Sequence, residues 1–289
     1  MTIESQDNDV YDISQDRDAY LWNVYTLVFQ YVVLCGLGHV ASMGFSWKLV
    51  HTYRKPEPEG KCTKFGSKLI GNTWQKRVSW DLCVNSGLYS AVVAYWYFRA
   101  CWSVITDFLY NARNGSLLLS SDAESLAARW AQTDYYTVNS ISLHVATQIY
   151  ELLIYILVDK PTVFYAHHLA VMATIIPTLL VGRIQKWFSV FAIAEATNVP
   201  LVLYTLMNQV PGMKKTTFYT INGFCLWLSF TLCRLHMGLA TAIWVYEVIT
   251  LLCFSSSDAI ETTTWFLAAD SAKAVRVFFY FSFLSLAPH

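Results

Sequence analysis

Thr162–Val181 reads TVFYAHHLAVMATIIPTLLV, twenty residues without one Asp, Glu, Lys or Arg. About 20 helical residues cross the hydrocarbon core of a bilayer. Lipid offers no partner to open backbone groups, so such a run spans as a helix rather than a strand. Runs of the same kind lie on either side, at 139–158 and 187–207, then at 217–233 and 236–254. Towards the N-terminus two more cover 20–47 and 78–110. The pattern predicts an all-α, polytopic transmembrane helical bundle of about seven spans, with six and eight as its bounds.

Composition agrees. Apolar residues make up 55% of the chain and charged ones only 14%, too few to cover a soluble domain of this size. Lys plus Arg equals Asp plus Glu at 20 each, so no general attraction to nucleic acid is expected. Position matters more than the sum. Residues 1–19 form an acidic tail (Glu4, Asp7, Asp9, Asp12, Asp16, Asp18), the opposite of the basic start of a cleavable signal peptide. Residues 48–73 form an irregular basic loop with Lys48, Arg54, Lys55, Lys61, Lys64 and Lys68. The positive-inside rule places that loop in the cytosol and the acidic tail in the lumen. The loop after the second run is then lumenal, and it holds the glycosylation sequon Asn114-Gly115-Ser116. Arg183 and Lys186 fall on the lumenal side against the rule. Residues 255–289, with Lys273 and Arg276 among aromatics, are expected to form a last span or an interfacial helix.

Seven cysteines, odd in number and almost all within apolar runs, argue for packing rather than disulfides or structural zinc.

The spans are not uniformly apolar. Ionisable side chains inside a membrane are costly and usually face the bundle interior. Here they recur at helical spacing: Asp81, Asn85 and Tyr89; His144, Gln148 and Glu151; His167, Thr174 and Thr178 with His168 beside them; Glu195, Asn198 and Thr205; then Arg234 and His236. Residues three, four or seven apart share a helix face, so the pattern predicts a ring of helices around a polar slot. Asn85, Gln148 and the threonines read as interhelical glue. Glu195, well inside its run, needs a cation or a proton, and Arg234 is the candidate partner. Adjacent His167 and His168 point about 100° apart; one can face the slot as a general base while the other orients it. Neighbouring histidines are not metal-ligand spacing, which on one helix is i, i+3 or i, i+4, so no metal is expected. From span centres near Met172 and Asn198, His168 lies about 6 Å to the cytosolic side and Glu195 about 4.5 Å to the lumenal side, so these two meet only if their helices are offset.

These residues resemble the TLC domain, shared by TRAM, Lag-type ceramide synthases and CLN-type proteins. The resemblance covers residues 74–254. It runs through Trp74-Gln75-Lys76-Arg77-Val78-Ser79, Tyr150-Glu151, Tyr165-Ala166-His167-His168-Leu169-Ala170, Glu195-Ala196-Thr197-Asn198-Val199-Pro200-Leu201 and Arg234. Three departures bear on activity. Asn198 stands where ceramide synthases carry a second acid, Leu82 where a histidine is frequent, and Glu151 where aspartate is usual. The sequence is thus more similar to the TLC proteins that are not ceramide synthases. The resemblance implies an endomembrane protein, of the endoplasmic reticulum or a related compartment, that acts on or binds membrane lipids and contributes to lipid homeostasis. The alternatives it implies are an acyl-CoA-dependent acyltransferase, with the His pair as general base and acyl-CoA as co-substrate rather than a bound cofactor, and a trafficking or chaperone factor for membrane proteins. Membrane lipids are the expected partners, with a homo- or hetero-dimer in the membrane. The candidate residues are His167 and His168 for catalysis and Glu195, Asn198, Arg234, Glu151 and His144 for the slot or its ion pairs.

Overall fold

A computed structural model describes residues 17–53, 74–116, 118–120, 123–130, 133–158, 162–209 and 212–254. The expectations for most of the acidic tail, for the 54–73 part of the basic loop and for the 255–289 segment lie outside the described residues. Helix dominates throughout, with no strand among the described residues. The helices are α1 (Arg17–Tyr53), α2 (Trp74–Ala100), α3 (Trp102–Arg113), α4 (Ala123–Trp130), α5 (Tyr135–Val158), α6 (Thr162–Val181), α7 (Gln185–Ala192), α8 (Asn198–Gln209) and α9 (Thr217–Phe254).

Five stretches are long and apolar enough to cross a membrane: Arg17–Phe45, Tyr135–Val158, Thr162–Val181, Gln185–Asn208 and Thr217–Ile249. Large apolar side chains face outward along them, among them Trp22, Phe29 and Phe45 on α1 and Phe224, Trp227 and Leu235 on α9. A soluble protein avoids so extended an apolar surface, and lipid welcomes it. The architecture is compatible with an integral membrane protein. At 27 residues α2 has the length of a span, but Lys76, Arg77, Asp81 and Asn85 make it less apolar than the other five.

Three expected runs divide differently from their hydropathy. The runs 217–233 and 236–254 are one helix of 38 residues. Arg234 and His236 do not interrupt it, because charge alone does not break a helix and neither Gly nor Pro stands there. Conversely, the run 78–110 breaks at Cys101 into α2 and α3. Short α3 and α4 close one end of the bundle, called here the cap end. Val104 and Trp130 pack there against Trp187 and Trp244.

α5 is the central post. It packs against α1, α2 and α6, and every residue from Thr137 to Gln148 is buried, as expected of a helix surrounded by others. Asp134 caps its start, accepting from the Thr137 backbone N–H at 2.8 Å and the Thr137 hydroxyl at 2.7 Å. Glycines bring the neighbours close. A Cβ on Gly38 of α1 would run into the Tyr89 hydroxyl, and one on Gly87 of α2 would sit 2.8 Å from Val202 Cγ1 of α8.

The cap end is tied by ions. Lys186 pairs with Asp134 and donates to the Ala100 carbonyl at 3.0 Å. Its charge, which opposed the positive-inside pattern, is neutralised within the fold. Arg129 lies 2.6 Å from Glu247 of α9, and the Trp130 and Trp187 indoles donate to the same carboxylate at 2.7 and 3.2 Å.

Candidate functional site

The α7–α8 stretch is not a straight helix. Pro200 has no N–H to offer the carbonyl four residues back, and the turn before it tightens into a 3-10 segment, Ile193–Thr197. Glu195 lies in that segment. A mid-helix 3-10 stretch is a frequent mark of a functional bend. Asn198 Nδ2 donates to Glu195 Oε2 at 2.6 Å, so the i, i+3 pair read from the sequence is a hydrogen bond.

Facing it, α5 presents His144, Gln148, Glu151 and Tyr155 along one side, and two tiers of polar contacts form. In the first, next to the start of α6, His168 is buried and both its ring nitrogens are engaged. Nδ1 meets Gln148 Oε1; Nε2 lies 2.9 Å from the Tyr155 hydroxyl and 3.3 Å from Glu151 Oε2. Tyr155 also donates to Glu151 Oε2 at 3.3 Å. In the second tier, nearer the cap end, His144 Nδ1 is 2.9 Å from the hydroxyl of fully buried Tyr97 of α2. His144 Nε2 lies 3.6 Å from Glu195 Oε1 and has no hydrogen-bond partner among the described residues. His167 is exposed, its ring centroid 5.4 Å from that of His168. It stands within electrostatic range of His144, His168 and Glu195.

The histidine pair thus divides as adjacent helical positions must: His168 is held by three side chains and His167 is open. The carboxylates divide too. Glu151, on the neighbouring helix, serves His168, while Glu195 serves the second tier, in keeping with the depth offset. Arg234 is exposed and forms no ion pair with Glu195 among the described residues; the imidazole nearest to that carboxylate is His144. His236 instead bonds the Val190 carbonyl at 2.7 Å, tying α9 to α7.

Gln148, expected as interhelical glue, does join α5 to α6 through His168. Asn85 and the threonines, read the same way, bond their own helices instead: Asn85 donates to the Asp81 carbonyl at 2.9 Å, Thr174 to Val171, Thr178 to Thr174 and Thr205 to Leu201. Tyr97 and Tyr155 escaped the sequence reading, since a tyrosine in an aromatic-rich span carries no mark of its partner. His39 of α1 escaped it as well. It is buried, bonds the Tyr150 hydroxyl, and belongs to a separate cluster in which Ser42 donates to Asp81 at 3.4 Å.

Among the described residues no group of three His, Cys, Asp or Glu side chains is arranged to hold a metal ion. No protein-family model, curated protein or solved structure matches the chain.

Proposed function

We propose that this chain is a TLC-type membrane protein that binds or modifies membrane lipids in a polar slot between α5, α6 and the bent α7–α8 stretch. One observation carries the reading: His144, His167, His168, Glu151 and Glu195 gather in two adjoining tiers within apolar helices, and His167 is the member left open. Buried ionisable groups at this depth are retained for a use. In this reading α1, α2, α5, α6, α7–α8 and α9 are six spans ringing the slot, with the loop after α1 cytosolic and the cap end lumenal. The protein belongs to the endoplasmic reticulum or a related membrane and contributes to lipid homeostasis.

The division within the His pair favours a second reading, acyl transfer from acyl-CoA. Held by Gln148, Tyr155 and Glu151, His168 is a positioning residue, and His167 is the general base. His167 takes the proton from an acceptor hydroxyl or amine as that atom attacks the thioester carbonyl, and the proton then passes to the departing CoA thiolate. The new bond is an ester or amide, and the broken one is the thioester.

The test is an acyl-transfer assay in lipid nanodiscs, with labelled acyl-CoA offered together with sphingoid base, lysophospholipid or glycerophospho-acceptors. Acyl transfer predicts a labelled lipid that disappears in His167→Ala while the protein stays folded. Tight lipid binding without product leaves a binding role. Absence of both product and bound lipid overturns the lipid reading.

A further inference from the structure

The second tier contains a mismatch that the protein does not resolve by itself. Tyr97 is fully buried, and among the described residues its hydroxyl proton has one acceptor at hand, His144 Nδ1 at 2.9 Å. That hydroxyl therefore donates to Nδ1, and the ring proton of His144 sits on Nε2. This N–H is buried and without a hydrogen-bond partner among the described residues. Its nearest carboxylate oxygen, Glu195 Oε1, is 3.6 Å away, beyond hydrogen-bond length. A buried donor left unmade costs the full desolvation of the group. With Glu195 ionised, its charge held by the Asn198 amide on Oε2 and by water at its partly exposed end, Oε1 is the open acceptor. The Glu195 side chain retains 23% exposure, so its side of the pair is open to the outside of the packed core, while His144 Nε2 is covered until the two groups part.

One donor and one acceptor thus stand side by side, and we infer that they bind the hydroxyl group of a membrane lipid. A hydroxyl oxygen accepts from His144 Nε2–H and donates its own proton to Glu195 Oε1. With about 2.8 Å to each partner, the oxygen closes a triangle on the 3.6 Å base at an angle of about 80°. Separating the pair by about 1 Å opens that angle to the tetrahedral value, a shift the inference requires of the 3-10 segment that carries Glu195. An ammonium group carries donors only and meets the His144 N–H with another N–H. A carbonyl, carboxylate or phosphate oxygen carries no proton and meets the Glu195 carboxylate with like charge or lone pairs. A water molecule offers the same pair as a hydroxyl and is the competing occupant. The inference rests on the lipid-slot reading and narrows it to a lipid class.

The experiment uses the full chain in nanodiscs with a long-chain alcohol bearing a photoreactive group in its tail. Three unlabelled competitors share that chain: the alcohol, its methyl ether and the primary ammonium. The alcohol is expected to suppress labelling about tenfold or more better than the ether, the loss expected for a hydrogen bond to a charged group. Glu195→Ala is expected to bring the two to within about twofold, on protein whose unfolding midpoint is checked. Equal competition by alcohol and ether in the wild type means that the pair holds water only and overturns the inference, while the lipid-slot reading stands. Stronger competition by the ammonium makes the site a cation site and also overturns it. The same alcohol preference in Glu195→Ala places hydroxyl recognition elsewhere. No saturable labelling at all removes the lipid-slot reading itself.

Discussion

The two histidine tiers are built from the same ingredients, an imidazole, a tyrosine hydroxyl, a glutamate and an amide, yet they are satisfied to different degrees. Around His168 both ring nitrogens are taken by Gln148, Tyr155 and Glu151. Around His144 only Nδ1 is taken, and Nε2 and Glu195 Oε1 are left 3.6 Å apart. The difference follows from the helices that carry them. The first tier lies between α5 and α6, two continuous helices joined by a short link, so their side chains settle on one another. The second tier faces the 3-10 segment before Pro200, whose bend holds Glu195 just out of reach. A closed polar tier fixes a structure, whereas an open one is suited to a ligand.

The contrast breaks first if His168 is dispensable. His168→Ala removes the common partner of three side chains and leaves a cavity, and it is expected to lower stability by about 2–4 kcal/mol. Denaturant unfolding in mild detergent measures this, and wild-type stability would falsify the structural role of the tier. Next in size is Gly87→Val. Gly87 lets α2 approach Val202 of α8, where an added Cβ would lie 2.8 Å from the Cγ1 atom. Overpacking there is expected to cost about 1–3 kcal/mol. It displaces the Glu195–Asn198 side of the second tier, so the alcohol-over-ether preference should fall while the His168 tier keeps its contacts; an unchanged preference detaches the packing from the site.

A smaller effect is expected for His144→Phe, about 1 kcal/mol, because only the Tyr97 hydroxyl loses its partner. Adding Tyr97→Phe should recover most of that loss, and a double-mutant cycle reads the coupling; additive losses would mean that the two rings are independent. The smallest stability effect belongs to exposed His167. His167→Ala is expected to change stability by no more than about 0.5 kcal/mol while removing any acyl-transfer activity, a split that separates the open histidine from the closed one. A destabilised His167→Ala protein with its lipid chemistry intact would reverse the assignment of the pair.

Much of this was legible in the chain before any coordinates. Thr162–Val181 and its neighbours announced membrane-length helices, and the i, i+3 and i, i+4 spacing of His144, Gln148 and Glu151 put them on one side of α5. The bend before Pro200 was not read from the run 187–207, because its apolar content stays continuous across the 3-10 segment. The division of labour between His167 and His168 followed from the angle between adjacent helical positions, though not which of the two would be held. Hydropathy misled at two places. It cut α9 at Arg234 and His236, because a windowed average reads charge as an interruption although the backbone ladder does not. It also joined α2 to α3 across Cys101, because a break between two apolar segments leaves no dip.

Sequence alone determined the helical class and the membrane-length elements, since length, apolar content and backbone satisfaction are properties of each segment by itself. It determined which residues could be polar neighbours along one helix. Which helix each faces was decided only by tertiary packing. That is why Glu195 has His144 beside it rather than Arg234, why Gln148 and Tyr155 hold His168, and why Lys186 is neutralised by Asp134. Partners between helices depend on rotation and depth about each axis, set by close approaches such as that at Gly87 and by the bend before Pro200. No periodicity within a single segment encodes those quantities.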